Sequence, residues 1–227
     1  VFEWDDILIV GDSFSAHRSD LSHWPMLLTQ QLTGEKISSG QNKFPRGKGF
    51  TGCSWWSVRK ILLEELEKKV PKVLIVTHTE AQRLPSDENF GLNSGSVFRV
   101  GDSETSHIPT SVLLAAQQYY KYLSSVNFQN WAQLQWFNEL DDIITAYQIP
   151  QVLHVHSFLP WKITDPLHVF KTGTTFTTPL WEICDDNKNP NSLAIFNHFN
   201  VPNNMRLAVA FKNALQDYTI GSKEITI

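Results

Sequence analysis

Three runs of consecutive apolar residues mark the chain, and between them apolar positions recur at helical spacing. Residues 6–10 read DILIV and stop at Gly11, residues 72–77 read KVLIVT, and residues 151–158 read QVLHVHSF. Unbroken apolar runs of this length, closed by glycine or polar turns, predict strands buried on both faces of a parallel sheet. Over 19–32, Leu21, Trp24, Leu27, Leu28 and Leu32 share one helical face, with Ser19 or Ser22 as cap and Pro25 in the first turn. Over 54–69, Trp55, Val58, Ile61, Leu62 and Leu66 fall on one side, the charged residues fall mostly on the other, and Pro71 marks the stop. Residues 111–125, 129–148 and 203–218 predict three further helices, and 192–196 a short strand. The stretch 34–52 reads as a loop with at most one short strand near 36–38. Residues 81–110 and 160–191 read as long irregular excursions, which in compact domains are often functional.

Alternating strands and helices, with crossovers long enough for parallel pairing, predict a three-layer α/β/α sandwich with a mainly parallel central sheet. The 227 residues suit one domain spanning 1–227. A core of that size needs no disulfide or metal staple. Ligands of such sheets bind outside the carboxyl ends of the strands. Three segments therefore matter most: the turn after Val10, the turn after Val76, and the loop before the last helix.

Composition narrows the partners. Hydrophobic residues make up 41% and charged residues 19%, an ordinary share for a soluble chain. The net charge of −4 and the lack of a sustained basic stripe argue against nucleic acid as the main partner. Lys43, Arg46 and Lys48 cluster in a glycine-containing stretch that reads as a solvated loop. Cys53 and Cys184 show no metal-ligand spacing and fit a reducing compartment, with a disulfide left open. No apolar run reaches the roughly 18–20 residues of a membrane span, and no signal peptide is visible. A cytoplasmic location is expected, with secretion left open because Val1 is not a methionine.

The chemistry gathers at two places. The first predicted strand leads into Gly11-Asp12-Ser13-Phe14-Ser15. A serine on a strand-to-helix turn is presented at the sheet edge, where backbone N–H groups can face a developing oxyanion. Serine is a poor nucleophile unless a base lies in hydrogen-bond reach. Gly-Asp-Ser also makes ordinary turns, so the motif takes its meaning from its place after an apolar strand. Near the other end, Asn197-His198-Phe199-Asn200 precedes Pro202 and the last helix. A histidine in that loop can swing over the sheet edge, and the two motifs together are much more specific than either alone.

In these blocks the chain resembles the SGNH, or GDSL, hydrolase family. ILIVGDSFS puts Ser13 at the family nucleophile, and Gly52, just ahead of a helix, matches the oxyanion-hole glycine, with Gly49 a second candidate. The end of VLIVTHTE corresponds to the family's Gly-x-Asn-Asp block, and NHFNVPNNMRLA to its histidine block. The resemblance implies a flavodoxin-like SGNH fold and acyl transfer from an ester, with Ser13 as nucleophile and His198 as base. It implies an oxyanion hole of Ser13 N–H, Gly52 N–H and a donor near Thr79, with no cofactor and no metal. Two positions depart from the pattern. Thr79 stands where the family has asparagine and Glu80 where it has aspartate; Thr79 keeps a hydroxyl donor, and His78 and Gln82 are alternative donors. Ile195 stands where the family has an acid three residues before the histidine. Orientation of His198 then falls to a backbone carbonyl, to Asp185 or Asp186, or to nothing strong. Losing an acid partner can cost orders of magnitude in rate, although the family includes Ser–His dyads.

Around these residues, His17, His78, Arg83 and Trp55 are candidates for a substrate cleft. The plainer readings are a solvated helix-entry residue for His17, a surface charge for Arg83 and a core ring for one of Trp55 and Trp56. Asp12 is expected to brace the turn. His154 and His156, two apart on a strand, point to one face. With His78 they read as core histidines with satisfied hydrogen bonds rather than a metal site, because no carboxylate motif accompanies them. The leading expectation is an esterase or deacetylase acting on a small-molecule or carbohydrate ester. The alternative is a catalytically weakened SGNH domain that binds a glycan or a partner. A flavodoxin-like nucleotide-binding fold would share the sheet, but no GxGxxG loop or P-loop comes after the first strand. Oligomeric state is left open by the sequence.

Overall fold

A computed structural model of the chain describes residues 2–16, 22–37, 44–50, 52–86, 92–98, 108–158, 167–184 and 199–225. Five strands form one all-parallel sheet in the order β1-β2-β3-β4-β5. They are β1 (Ile7–Val10), β2 (Val73–His78), β3 (Gln151–His156), β4 (Thr174–Phe176) and β5 (Gly221–Lys223). The helices are α1 (Trp24–Thr33), α2 (Trp55–Lys68), α3 (Ser94–Val97), α4 (Thr110–Gln118), α5 (Val126–Tyr147), α6 (Leu180–Ile183) and α7 (Val201–Gln216). A π-helical turn, Tyr119–Leu123, joins α4 to α5. The register pairs Val10 with Val76 and His78 with His156.

All residues of β1 and β2 are buried because helices cover both faces of the sheet. On one face Ile7, Ile9, Ile75 and Leu153 meet Trp24 of α1 and Phe211 of α7. On the other, Leu8, Val10 and Leu74 meet Leu62 of α2 and Trp136 of α5. Successive strand residues point to opposite faces, so a strand covered twice reads as an unbroken apolar run.

Caps set the helix starts. Ser54 accepts the Ser57 N–H at 3.3 Å to open α2, and Asn200 accepts the Asn203 N–H at 2.9 Å to open α7. Pro25 and Pro202 occupy first turns. Neither Ser19 nor Ser22 opens α1. His23 is its N-cap, without a side-chain cap bond, and the Trp24 N–H donates instead to Asn204 Oδ1 of α7 at 2.9 Å.

Several sequence expectations need correction. Residues 160–191, read as irregular, carry β4 and α6, and 81–110 carries α3. β4 and the unexpected β5 have three residues each, too few for a periodic signal. Among the described residues no strand lies near 36–38. Residues 46–49 take the outer edge of β1 instead, with the Ile9 N–H donating to Arg46 O at 3.0 Å and the Gly11 N–H to Lys48 O at 3.1 Å. Arg46 is no solvated charge. Its guanidinium donates to Glu65 O at 2.7 Å and Lys69 O at 2.8 Å, backbone carbonyls at the end of α2, and to the Glu65 carboxylate. Cys53 and Cys184 are both buried thiols, with no disulfide between them. The strand expected at 192–196 lies outside the described residues. No helix among the described residues is long and apolar enough to cross a membrane.

Candidate active site

Beyond Val10 the chain enters a single 3-10 turn, Ser13–Ser15, held from all sides. Asp12 Oδ1 accepts the Phe14 N–H at 3.1 Å and the Ser157 hydroxyl, just past β3, at 2.9 Å. Thr77, in β2, accepts the Asp12 N–H on Oγ1 at 3.2 Å and shares a hydrogen bond with the Ser15 hydroxyl at 2.9 Å. Both flanks of Ser13 are therefore pinned by the ends of β2 and β3, and Ser13 itself is 7% exposed. Gly49 packs against this turn so closely that a Cβ would sit 2.5 Å from Asp12 O. Gly52 has φ 76°, a left-handed conformation that favours glycine. The thiol of Cys53 is pushed up mainly by burial, further up by the Asp12 charge, and partly back down by Arg83. The segments after β1, before α2 and after β2 are thus electrostatic neighbours.

Thr77, two residues before Thr79, meets the Asp12 N–H and the Ser15 hydroxyl on either side of Ser13. Thr79 is buried, its hydroxyl has no hydrogen-bond partner, and its carbonyl accepts from Gln133 Nε2 of α5 at 2.6 Å. Thr79, Gln133, Phe137, His156, Phe158 and Trp181 help to line a cavity of about 800 Å³ at the carboxyl ends of β2 and β3. Phe158 ties this cavity to the serine turn, since its ring lies 5.4 Å from that of Phe14 and 6.0 Å from that of Trp181.

Arg83 is neither a surface charge nor part of the described cavity lining. It is 6% exposed, lies 5.0 Å over the Phe158 ring, and pairs through Nε with Glu80 at 3.2 Å. Its Nη1 has no partner. Trp55 does not line the cavity either. Its ring packs on the α2 and α5 side of the sheet, edge-on to Trp56 at 6.0 Å, because it falls on the apolar stripe of α2.

His78 is still paired in the sheet and so points into a buried aromatic cluster rather than the cavity. Its Nε2 lies 3.2 Å from His154 Nδ1, and its ring stacks on Phe170 at 4.6 Å. His154 stacks on the same ring at 3.7 Å. The expectation of satisfied hydrogen bonds fails for His154, whose Nε2 is buried without a partner, as is that of His168. Burial pushes His78 and His154 well below the ordinary histidine range, His156 to about 4, and His168 down. The cluster is therefore uncharged at neutral pH. Among the described residues no group of three or more His, Cys, Asp or Glu converges on a metal site.

His198, His17, Asp185, Asp186 and Ile195 lie outside the described residues. Phe199 does not. Its ring meets that of Phe14 at 5.7 Å in an edge-on arrangement. Asn204 Nδ2 donates to Phe199 O at 3.0 Å, and Trp24 Nε1 donates to Phe14 O at 2.5 Å. Sequence reasoning missed Thr77, Ser157 and Gln133. The first two had a signal, a hydroxyl at or just past the end of a buried strand, whereas Gln133 had none. Compared with known proteins, the chain matches no family model, no curated protein and no solved structure.

Proposed function

We propose that this chain is a serine hydrolase of the SGNH kind, cleaving a carboxylic ester with Ser13 as nucleophile and His198 as base. The observation that carries the reading is the Phe14–Phe199 ring contact. Those residues directly follow Ser13 and His198, and consecutive Cα atoms are only about 3.8 Å apart. The sheet supports the flavodoxin-like form of the fold. With residues 46–49 as an irregular outer edge, the chain crosses to one side of β1 and then to β2 on the other. Ligands bind at such a switch point, outside the strand ends. Ser13 lies in the turn after β1, and Thr79 directly follows β2.

In this mechanism Ser13 Oγ bonds to the ester carbonyl carbon as its proton passes to His198. The oxyanion is met by the N–H groups of Ser13 and Gly52 and by the Thr79 hydroxyl, a donor with no competing partner. His198 returns the proton to the departing alcohol. Water then attacks the acyl-enzyme through the same base, releasing the acid and free Ser13. Asp12 positions the turn and makes no bond to substrate.

A second reading, a weakened domain that only binds its ligand, is favoured by Ile195 in place of the acid and Thr79 in place of asparagine. A fluorophosphonate probe separates the two. The hydrolase reading expects prompt labelling at Ser13 and a fall in p-nitrophenyl acetate turnover on the order of 10³-fold or more in Ser13→Ala. Equal turnover by the two proteins, or no labelling, overturns it.

A further inference from the structure

We propose that the cavity beside the serine turn holds an uncharged, polyhydroxylated ligand, a neutral glycan unit, as the alcohol side of the substrate. Its role as substrate rests on the hydrolase reading, but the binding site stands on its own lining. That lining encloses about 800 Å³, within the range of small-molecule sites.

Charge is the first discriminator. Glu80 is the one acidic residue among the described lining residues, and Arg83 pairs with it at 3.2 Å. His156 and His168 are held neutral by burial. No lysine or arginine is among the described lining residues to hold a carboxylate, phosphate or sulfate, and Glu80 opposes one.

Hydrogen bonding is the second. Gln129, Asn130 and Gln133 of α5 bring three primary amides to one wall. The Gln133 amide is fixed by its bond to Thr79 O, and the Gln129 amide by the Ser124 hydroxyl at 3.3 Å. Amides both donate and accept, which suits hydroxyl groups that do the same. A long aliphatic chain would strip these amides of water and return nothing. Thr79 and His168 belong to the same lining, and the Thr79 hydroxyl and His168 Nε2 are buried polar atoms with no partner among the described residues.

Shape is the third. Phe158 and Trp181 stand 6.0 Å apart, tilted by 31°. A planar base sandwiched between two rings needs about 7–8 Å, two contact distances. These rings can offer a face or an edge to a C–H surface, as a sugar ring presents, but they cannot clamp a flat heterocycle between them.

The test uses Ser13→Ala, so that turnover does not consume the ligand. Cellotetraose, maltotetraose and chitotetraose are titrated by calorimetry and tryptophan fluorescence, alongside tetragalacturonate, decanoate and phosphatidylcholine vesicles. Vesicles are included because Leu123, Phe128 and Trp131, in or just before α5, are exposed apolar residues. At least one neutral tetrasaccharide is expected to bind saturably. Asn130→Leu and Gln133→Leu, each confirmed folded by circular dichroism, are expected to weaken it by roughly three- to ten-fold apiece. The inference is overturned if no neutral sugar binds, if both variants bind as tightly as their parent, or if galacturonate, decanoate or vesicles bind in preference. Sugar binding by a protein whose Ser13 resists the fluorophosphonate would keep the site and remove the esterase.

Discussion

Thr79 buries a hydroxyl that no described residue satisfies. An unsatisfied buried polar group costs about 1–3 kcal/mol, so its removal should not destabilise the protein. Thr79→Val, close in shape, is expected to leave the urea midpoint unchanged or raise it. If the hydroxyl meets the oxyanion, the same variant loses about 10²-fold or more in kcat. Stability and turnover should therefore move apart, and a variant that keeps full kcat would take Thr79 out of the chemistry. The positions of Thr79 and Ser13 just past buried strands were legible in the sequence, because each follows an apolar run. The bracing of Ser13 was not. The Ser157–Asp12 hydrogen bond spans 145 residues, and no local pattern records it. His78 misled for a related reason: the apolar run does not show whether its last residue is still in the sheet, and here it still is.

At the scale of elements, β2 and β3 hand three histidines to the α5 side of the sheet, and the segment before β4 adds His168 and Phe170. All four histidines have folded-state pKa values below the usual 6.5, chiefly through burial. The unfolded chain then binds more protons below about pH 6.5, so stability falls as pH drops through that point. For His156 the window runs from 6.5 down to about 4 and amounts to about 3 kcal/mol. Asp6 behaves differently. Its hydrogen bond with Lys72 holds it at about 2, so its contribution is lost only between about 3.8 and 2. Urea midpoints should decline between pH 7 and 5, and His156→Phe should flatten the decline; a flat profile in the parent would mean that water reaches these rings. The long strands that carry the cluster were readable as apolar runs. β4 and β5 were not, since three residues such as Thr-Thr-Phe or Gly-Ser-Lys become a strand only by lying beside β3 and its neighbour.

For the molecule as a whole, the decisive feature is that the two ends of the chain meet on one face of the sheet. α1 and α7 share a core there, and Asn204 clasps them. It accepts the Trp24 N–H at 2.9 Å and donates to the carbonyls of Phe199 at 3.0 Å and Asn200 at 3.1 Å. One amide thus joins the entry of α1 to the entry of α7, next to the Phe14–Phe199 contact. The apolar periodicity of both helices was visible in the sequence, but their adjacency was not, because it depends on which face of the sheet each crossover takes. Asn204→Ala should take this partner from the Trp24 N–H and the Phe199 carbonyl and cost about 2–4 kcal/mol, read as a lower urea midpoint at unchanged slope. If the clasp also sets the position of the histidine block relative to Ser13, fluorophosphonate labelling at a temperature where the variant remains folded should slow by roughly 10- to 100-fold. A destabilised variant that still labels at the parental rate would show that the clasp only stabilises, and that the histidine block takes its position from elsewhere.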